Sequence, residues 1–410
     1  MDFPWSQILP QIGQVFLRVL TQPFFWMVIL LVWYLYRRMQ RTKESLYGPD
    51  GSALRVAALS VIYGLIGGLV GSLVMIFFGI SINDVGIGYL WLLALVLMLF
   101  SPRFLCFSYA GGLLAVVSLL VGHPRVNIPA LMGLIAVLHL VESVLILTSG
   151  HIDPLPVYVR KETDRVVGAF NLQKFWPIPL AVLMVVGVPH QITGEIIKTP
   201  DWWPLIHPPG AGNAGDLVYG IFPVVAALGY GELAITRLPR EKVRRSAFHL
   251  ALFSLVLLGL SVYASRVPQA AVFPALFSPL GHELVIYVGR REELRGKPRF
   301  VPPHRGMMVL DVVKGSPAEA AGLRSGDIIY SVGEFPVNSR DEFIQALDHA
   351  GTSFSLLVAG GTGPLRRIHL TRQTTAPFGV IPVPEPGDLP NVNYIMGSPL
   401  RNLARRIFKR

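Results

Sequence analysis

The residue types of a catalyst meet in one stretch of this 410-residue chain, Gly281-His282-Glu283-Leu284-Val285-Ile286. Zinc hydrolases place two histidines one helical turn apart to hold the metal, with a glutamate between them that activates water, in the pattern HExxH. His282 and Glu283 fit that pattern, but the second histidine position is Ile286. An acidic-glycine pair that could supply another ligand, Asp50-Gly51, falls in a polar loop. No catalytic residue, metal ligand or cofactor is therefore expected, and His282 and Glu283 should bond neighbouring side chains or broken backbone. Cys106, the only cysteine, excludes a disulfide within the chain and paired-thiol redox chemistry, and no cysteine-ligated metal is expected.

Three further ionisable residues interrupt apolar runs: His139, Glu142 and Glu232. His139 and Glu142 are three apart, share a helix face and are within reach of a mutual hydrogen bond. Charged groups at membrane depth are costly and default to function. Polar contact between packed helices is the favoured reading here, and an ion path through these residues is the transporter alternative. Neither a phosphate-binding loop nor a dinucleotide fingerprint is present. The formal charge of +11 calls for no nucleic acid, because most of it lies in loops and in the tail.

The elements that must position these residues are membrane helices. Hydrophobic residues make up 52% of the chain and charged residues 15%, against about 25% charged in soluble proteins. Spans are expected near residues 19–36, 56–80, 86–101, 104–121, 128–148, 175–192, 215–236 and 247–265. A ninth, from Ala270 to Gly289, contains Pro274, Pro279 and Gly281 and should be broken or re-entrant. Met1 to Gln22 lacks the form of a cleavable signal, so the first span is expected to remain as an anchor. The fold class is an α-helical polytopic membrane bundle of eight or nine spans followed by a small α+β domain. Alternate loops carry fifteen lysines and arginines (Arg37 to Arg245) against four (Arg18, Arg125, Lys198, Arg266). That bias places the basic loops in the cytoplasm. The spacing Gly64, Gly67, Gly68, Gly71 suits close helix approach within the chain, with homo-oligomer contacts as a second use.

Past the spans, Met307 to Val313 alternates as a strand. Ser316-Pro317 opens a short helix that Gly322 stops, and Ile328 to Val332 is a second strand. Ser339 begins another helix, with Glu342 three residues on, and Phe354–Ala359 and Leu365–Leu370 form a hairpin. These elements, and the run SPAEAAGLRSGDII, resemble bacterial PDZ domains. The resemblance implies a groove that takes a peptide as an added strand. Carried onto this sequence, it places the carboxylate-holding loop at His304-Arg305-Gly306-Met307 and the groove walls at Met307, Val309, Phe343 and Leu347. Arg305 departs from the usual hydrophobic-Gly-hydrophobic triplet of that loop. A free C-terminus and an internal segment both remain open as ligands.

The resulting division is an interfacial segment 1–18, a membrane domain 19–289, a PDZ domain 296–373 and a Pro-rich connector with a basic tail, 374–410. In the tail, Leu400, Leu403, Ile407 and Phe408 share one helical face and Arg401, Arg405, Arg406, Lys409 and Arg410 lie elsewhere, which suits anionic lipid or an acidic partner. A solvated tail is the plain alternative. The layout, with FSPLGHELVIYVGRREE leading into the PDZ, resembles the MinJ family of division-site adaptors of Gram-positive bacteria. What that resemblance implies is a scaffold of the cell membrane, enriched at septum and poles. It would link a DivIVA-like polar coiled-coil protein to a MinD-like ATPase through a cytoplasmic PDZ. A zinc protease of the membrane and a transporter using His139, Glu142 or Glu232 are the competing classes.

Overall fold

The computed structural model describes residues 3–47, 53–161, 165–187, 197, 199–207, 217–360, 363–371 and 377–391. The basic tail lies outside the described residues. Helices α1 (Trp5–Thr21) and α2 (Pro23–Tyr47) meet at Gln22 with a 67° bend. Ile8, Ile12, Val15 and Val19 form the buried stripe of α1, and the first three join Ile76, Leu183 and Trp203 in one apolar cluster. Helix α3 (Ala53–Phe78) is apolar on all sides and long enough to cross a membrane.

Helices α4 (Ile87–Phe100) and α5 (Phe107–Val121) have 14 and 15 residues. At 1.5 Å per residue each covers only about 22 Å, short of the ~30 Å hydrocarbon core. Pro102 opens the tight turn Pro102–Leu105 between them. The base of this pair is closed, since Asn127 N–H donates to Asp84 O at 2.6 Å. Its tip carries Cys106, whose Sγ is 3.1 Å from Nε2 of His139. His139 is the twelfth of the 22 residues of α6 (Ile128–Ser149), so the tip stands halfway along that helix. The two expected spans 86–101 and 104–121 form one short helical hairpin, the form of a re-entrant pair, whose tip with Arg103 meets the middle of α6.

Strand β1 (Leu155–Arg160) pairs with β2 (Val166–Gly187), which pairs with β3 (Val218–Ala234), all antiparallel. Two more expected helices, 175–192 and 215–236, are thus the arms of a long hairpin. Pro177 and Pro179, two residues apart, forbid a helix interior, while alternate positions suit a strand edge that pairs with no further strand. An unbroken apolar run looks the same in a buried strand and a buried helix, which is why the pattern misleads.

Helices α7 (Pro239–Arg266) and α8 (Val272–Arg295) complete the bundle. Among the described residues, four helices, or five if the bent pair is one span, are long and apolar enough to cross, fewer than the eight or nine expected. Helix α8, expected to break, runs through Pro279. The Pro279 ring packs into space left by Gly112, where a Cβ would lie 2.3 Å from Cδ. Ser278 Oγ also bonds Ser108 O at 3.0 Å. Neighbouring helices thus hold the proline in place.

The C-terminal domain comprises β4 (Met307–Val312), α9 (Pro317–Ala320), β5 (Asp327–Val332), β6 (Phe335–Pro336), α10 (Arg340–His349), β7 (Ser353–Gly360), β8 (Leu365–Thr371) and β9 (Val380–Pro382). Its sheet order is β8-β7-β5-β4-β9, with β6 on β5. Both helix starts are capped as their sequences require: Ser316 Oγ accepts from Glu319 N and Ser339 Oγ from Glu342 N. The Glu342 carboxylate reaches back to Asn338 N at 2.7 Å.

This domain is docked on the bundle. Leu310, Ile381 and Val383 belong to the same buried core as Phe170 and Phe300. Lys314 Nζ reaches Asp153 Oδ1 at 2.6 Å, and Lys43 from α2 reaches the same oxygen at 3.0 Å.

Candidate functional site

The peptide groove of a PDZ needs an open strand edge beside a helix. Strand β4 does not offer one, because β5 flanks it on one side and β9 on the other. Met307 and Val309 are buried in the domain core, with Phe343 and Leu347 at 6% and 7% exposure. Arg305 and Gly306 precede β4, and Gly306 has φ +84° with its N–H on Asn338 Oδ1. The structure therefore brings Phe343 and Leu347 together in one core with Met307 and Val309, and leaves Arg305 and Gly306 away from any open edge.

The edge strand is β9. It is preceded by Phe378-Gly379, with Gly379 at φ +85°, so Phe378-Gly379-Val380 is the hydrophobic-Gly-hydrophobic triplet missing at residue 305. Phe378 packs on Phe343 of α10 with ring centroids 5.8 Å apart. Gly379 is close-packed as well as left-handed: a Cβ there would meet Ser316 Cβ at 2.2 Å. Gly379 O and Val383 N bond Val313 N and Met308 O on the β4 side. By strand alternation Val380 and Pro382 present their backbone to the other side. Pro382 has no N–H, and its carbonyl accepts from Tyr158 Oη at 2.9 Å. Beyond β9 the chain caps α10, where Arg340 N donates to Glu385 and its guanidinium pairs with Asp388 at 2.7 Å. The signal for this edge was the triplet itself, hidden in a Pro- and Gly-rich stretch taken as a connector.

The docking face carries its own electrostatics. Burial pushes the Asp311 carboxyl up to about 6. Burial also pushes Asp153 up, but Lys43 and Lys314 outweigh it and hold that carboxyl below its usual range.

A second polar assembly sits at the re-entrant tip. Glu283 pairs with Arg103 at 3.1 Å and accepts from Tyr109 Oη at 2.6 Å. His139 turns away from Glu142: its Nδ1 is 2.8 Å from Ile135 O and its Nε2 faces Cys106 and Ser108. His282 Nε2 is 3.6 Å from the same sulfur. Glu232 lies elsewhere, in a network with Tyr230, Ser246 and Lys242, whose Nζ is 3.1 Å away and which also approaches Glu293.

These features define a class: a polytopic membrane protein with a short apolar helical hairpin, a long β-hairpin and a C-terminal PDZ domain. The PDZ domain family model matches residues 308–360. Over 389 residues the chain is 24% identical to the cell division topological determinant MinJ of Bacillus subtilis (strain 168), covering 89% of this chain and 92% of that protein. The chain is MinJ-like across both its membrane and PDZ parts. Serine protease HTRA1 of Xenopus tropicalis (34%) and putative serine protease HhoA of Synechocystis (35%) match over 74 and 77 residues. Those matches cover 16% and 19% of the proteases, the length of a PDZ module.

Proposed function

We propose that this protein is a membrane-embedded adaptor in the placement of cell division, which recruits protein partners through the groove between β9 and α10. The observation that carries the reading is the MinJ likeness over nine-tenths of the chain, joined to a PDZ whose edge strand and φ +85° glycine have the form of a peptide site. The PDZ stands at the same end of the bundle as Lys43, Asp153 and Lys161, the basic end by charge bias, which supports a cytoplasmic groove. Partners of the DivIVA-like and MinD-like kinds follow from the same likeness. The short open edge favours a terminal ligand: past the glycine, Val380 offers one N–H and one C=O, and Pro382 offers no donor. Such a ligand gains from the loop amides more than from a long ladder. No enzymatic step is assigned, since Glu283 is engaged by Arg103 and Tyr109 and the protease likeness stops at the PDZ.

The test uses the full chain with a fluorescent fusion, together with co-purification of coiled-coil and ATPase division proteins. Septal and polar enrichment is expected, and Val380→Lys should abolish co-purification while a cooperative thermal transition, lowered by a few degrees at most, is kept. Uniform membrane distribution of the parent protein, or undiminished capture by the variant, overturns the reading.

A further inference from the structure

We propose that Cys106, His139 and His282 form a binding site for one d10 transition-metal ion of the copper(I)/zinc(II) class. The three donors come from the re-entrant tip, α6 and α8, and their Sγ and two Nε2 atoms all lie within 4.8 Å of one another. The sulfur-to-nitrogen separations are 3.1 and 3.6 Å. An ion with bonds of about 2.3 Å to sulfur and 2.0 Å to nitrogen holds such donors roughly 3.5 to 3.8 Å apart. Small side-chain adjustments therefore close the site.

The proton arrangement suits an ion. His139 Nδ1 donates to Ile135 O, which leaves the Nε2 lone pair aimed at the sulfur, the tautomer that metal-ligating histidines hold through their far nitrogen. His282 also turns its Nε2 to the same sulfur, and its buried Nδ1 has no partner among the described residues, so the polar contact of this imidazole is the one toward the site. The absent histidine at Ile286 loses its meaning here, because the second imidazole comes from another helix.

Charge selects within the class. Glu283 is already balanced by Arg103 and cannot offset a metal charge. A thiolate with copper(I) is neutral, whereas with zinc(II) it leaves one positive charge halfway along α6, and uncompensated charge is expensive in such surroundings. Thiolate softness also favours copper(I). The bound ion would staple the hairpin tip to α8, the helix that leads into the PDZ.

The experiment uses purified full-length protein in detergent. Copper(I) is supplied under reducing anaerobic conditions against a chromophoric chelator, and zinc(II) separately. One equivalent is expected, with an X-ray absorption shell of one sulfur and two nitrogens and a raised thermal midpoint. Cys106→Ser, His139→Ala and His282→Ala should each weaken binding by about a hundredfold or more, and His369→Ala, on the exposed PDZ strand β8, should not. Cys106→Ser is nearly isosteric, so it carries the test if a histidine variant misfolds. Retention of either ion with this pattern supports the site, and the tighter ion tests the charge argument. Failure to retain either ion at one equivalent, or binding unaffected by Cys106→Ser, overturns it.

Discussion

Beyond its pairing with β1, β2 in the bundle turns a backbone edge away from its own sheet, as β9 does in the PDZ, and the two edges are treated in opposite ways. Along β2 every second residue from Phe175 to Val185 faces α3 or its flanks. Phe175 N–H donates to Tyr36 Oη (3.0 Å), which is itself 2.7 Å from Ser60 Oγ. Pro177 and Pro179 have no donor to satisfy. Ala181 N is bonded by Ser72 Oγ (2.8 Å), Leu183 O by Ile82 N (2.9 Å), and Val185 by both arms of the Asn83 amide. Ser60, Gly64, Gly68 and Ser72 recur every four residues, so one stripe of α3 receives the middle of the edge, with Tyr36, Ile82 and Asn83 bonding its ends. Ten residue steps at 3.3 Å make that edge about 33 Å long, the thickness of the hydrocarbon core. In that medium an unbonded amide costs several kcal/mol. The edge of β9 lies outside such constraint and keeps the backbone of Val380 open. The same chemical group is thus buried as a structural seam in one place and displayed for recognition in the other.

The seam is easiest to break at its glycines. A Cβ on residue 68 would fall 2.0 Å from Pro179 O, a backbone atom that cannot move without the strand. Gly68→Leu should cost about 3 kcal/mol or more and yield little monodisperse protein on size exclusion. Gly67→Ala is the sharpening control: its Cβ meets methyl groups of Leu145 and Val141 at 3.1 to 3.2 Å, and side-chain ends can yield. Its thermal midpoint should stay within a few degrees of the parent.

A smaller loss is expected from Ser72→Ala, which strands the Ala181 N–H and should cost about 1 to 3 kcal/mol. Chemical denaturation in detergent reads that difference. Smaller again is the effect of Asp311, on the docking face between the two regions. Its carboxyl is raised from 3.8 to about 6 by burial, so the folded state holds the proton more tightly than the unfolded chain between those values. Stability from this group therefore falls as pH rises from about 4 to 6. Asp311→Asn should match the parent near pH 4 and exceed it by roughly 1 to 2 kcal/mol at pH 7, discounted for the solvent this side chain still meets. Thermal melts across that range check it. Of similar or smaller size is the cost of Val380→Lys: the Val380 backbone faces the open edge but its half-buried side chain packs on the PDZ core, so about 1 kcal/mol is expected, with peptide capture lost.

The same contrast explains what could be read from the sequence. The PDZ was legible because its cues are local: Ser316 and Ser339 as caps, the Gly322 stop, and alternation through Val309 and Ile329. Helices α3, α6 and α7 were legible from length and apolarity. The β2 seam was not, because Phe175 to Val186 is apolar at every position and its partners are more than a hundred residues away. Only Pro177 and Pro179, spaced by two, announced a strand. The re-entrant pair was lost to length, since 14 and 15 apolar residues fall just under a span. At the tip, His139, His282 and Cys106 were each visible singly, but spacing along one helix could not show a meeting of three elements. Strand β9 was missed because Phe378-Gly379-Val380 follows the last expected strand, where a linker was easier to see than a strand that returns.

The seam along α3 also fixes an order of events during synthesis. Tyr36, Ser60, Ser72 and Asn83 all precede β2 in the chain, so the receiving stripe leaves the ribosome before the strand that needs it. A strand emerging first would enter lipid with its amides bare. With chain growth from the N-terminus at about 5 to 20 residues per second, the roughly hundred residues between α3 and β2 allow about 5 to 20 seconds for α3 to insert. The protein thus inserts its template before the part that must be copied against it.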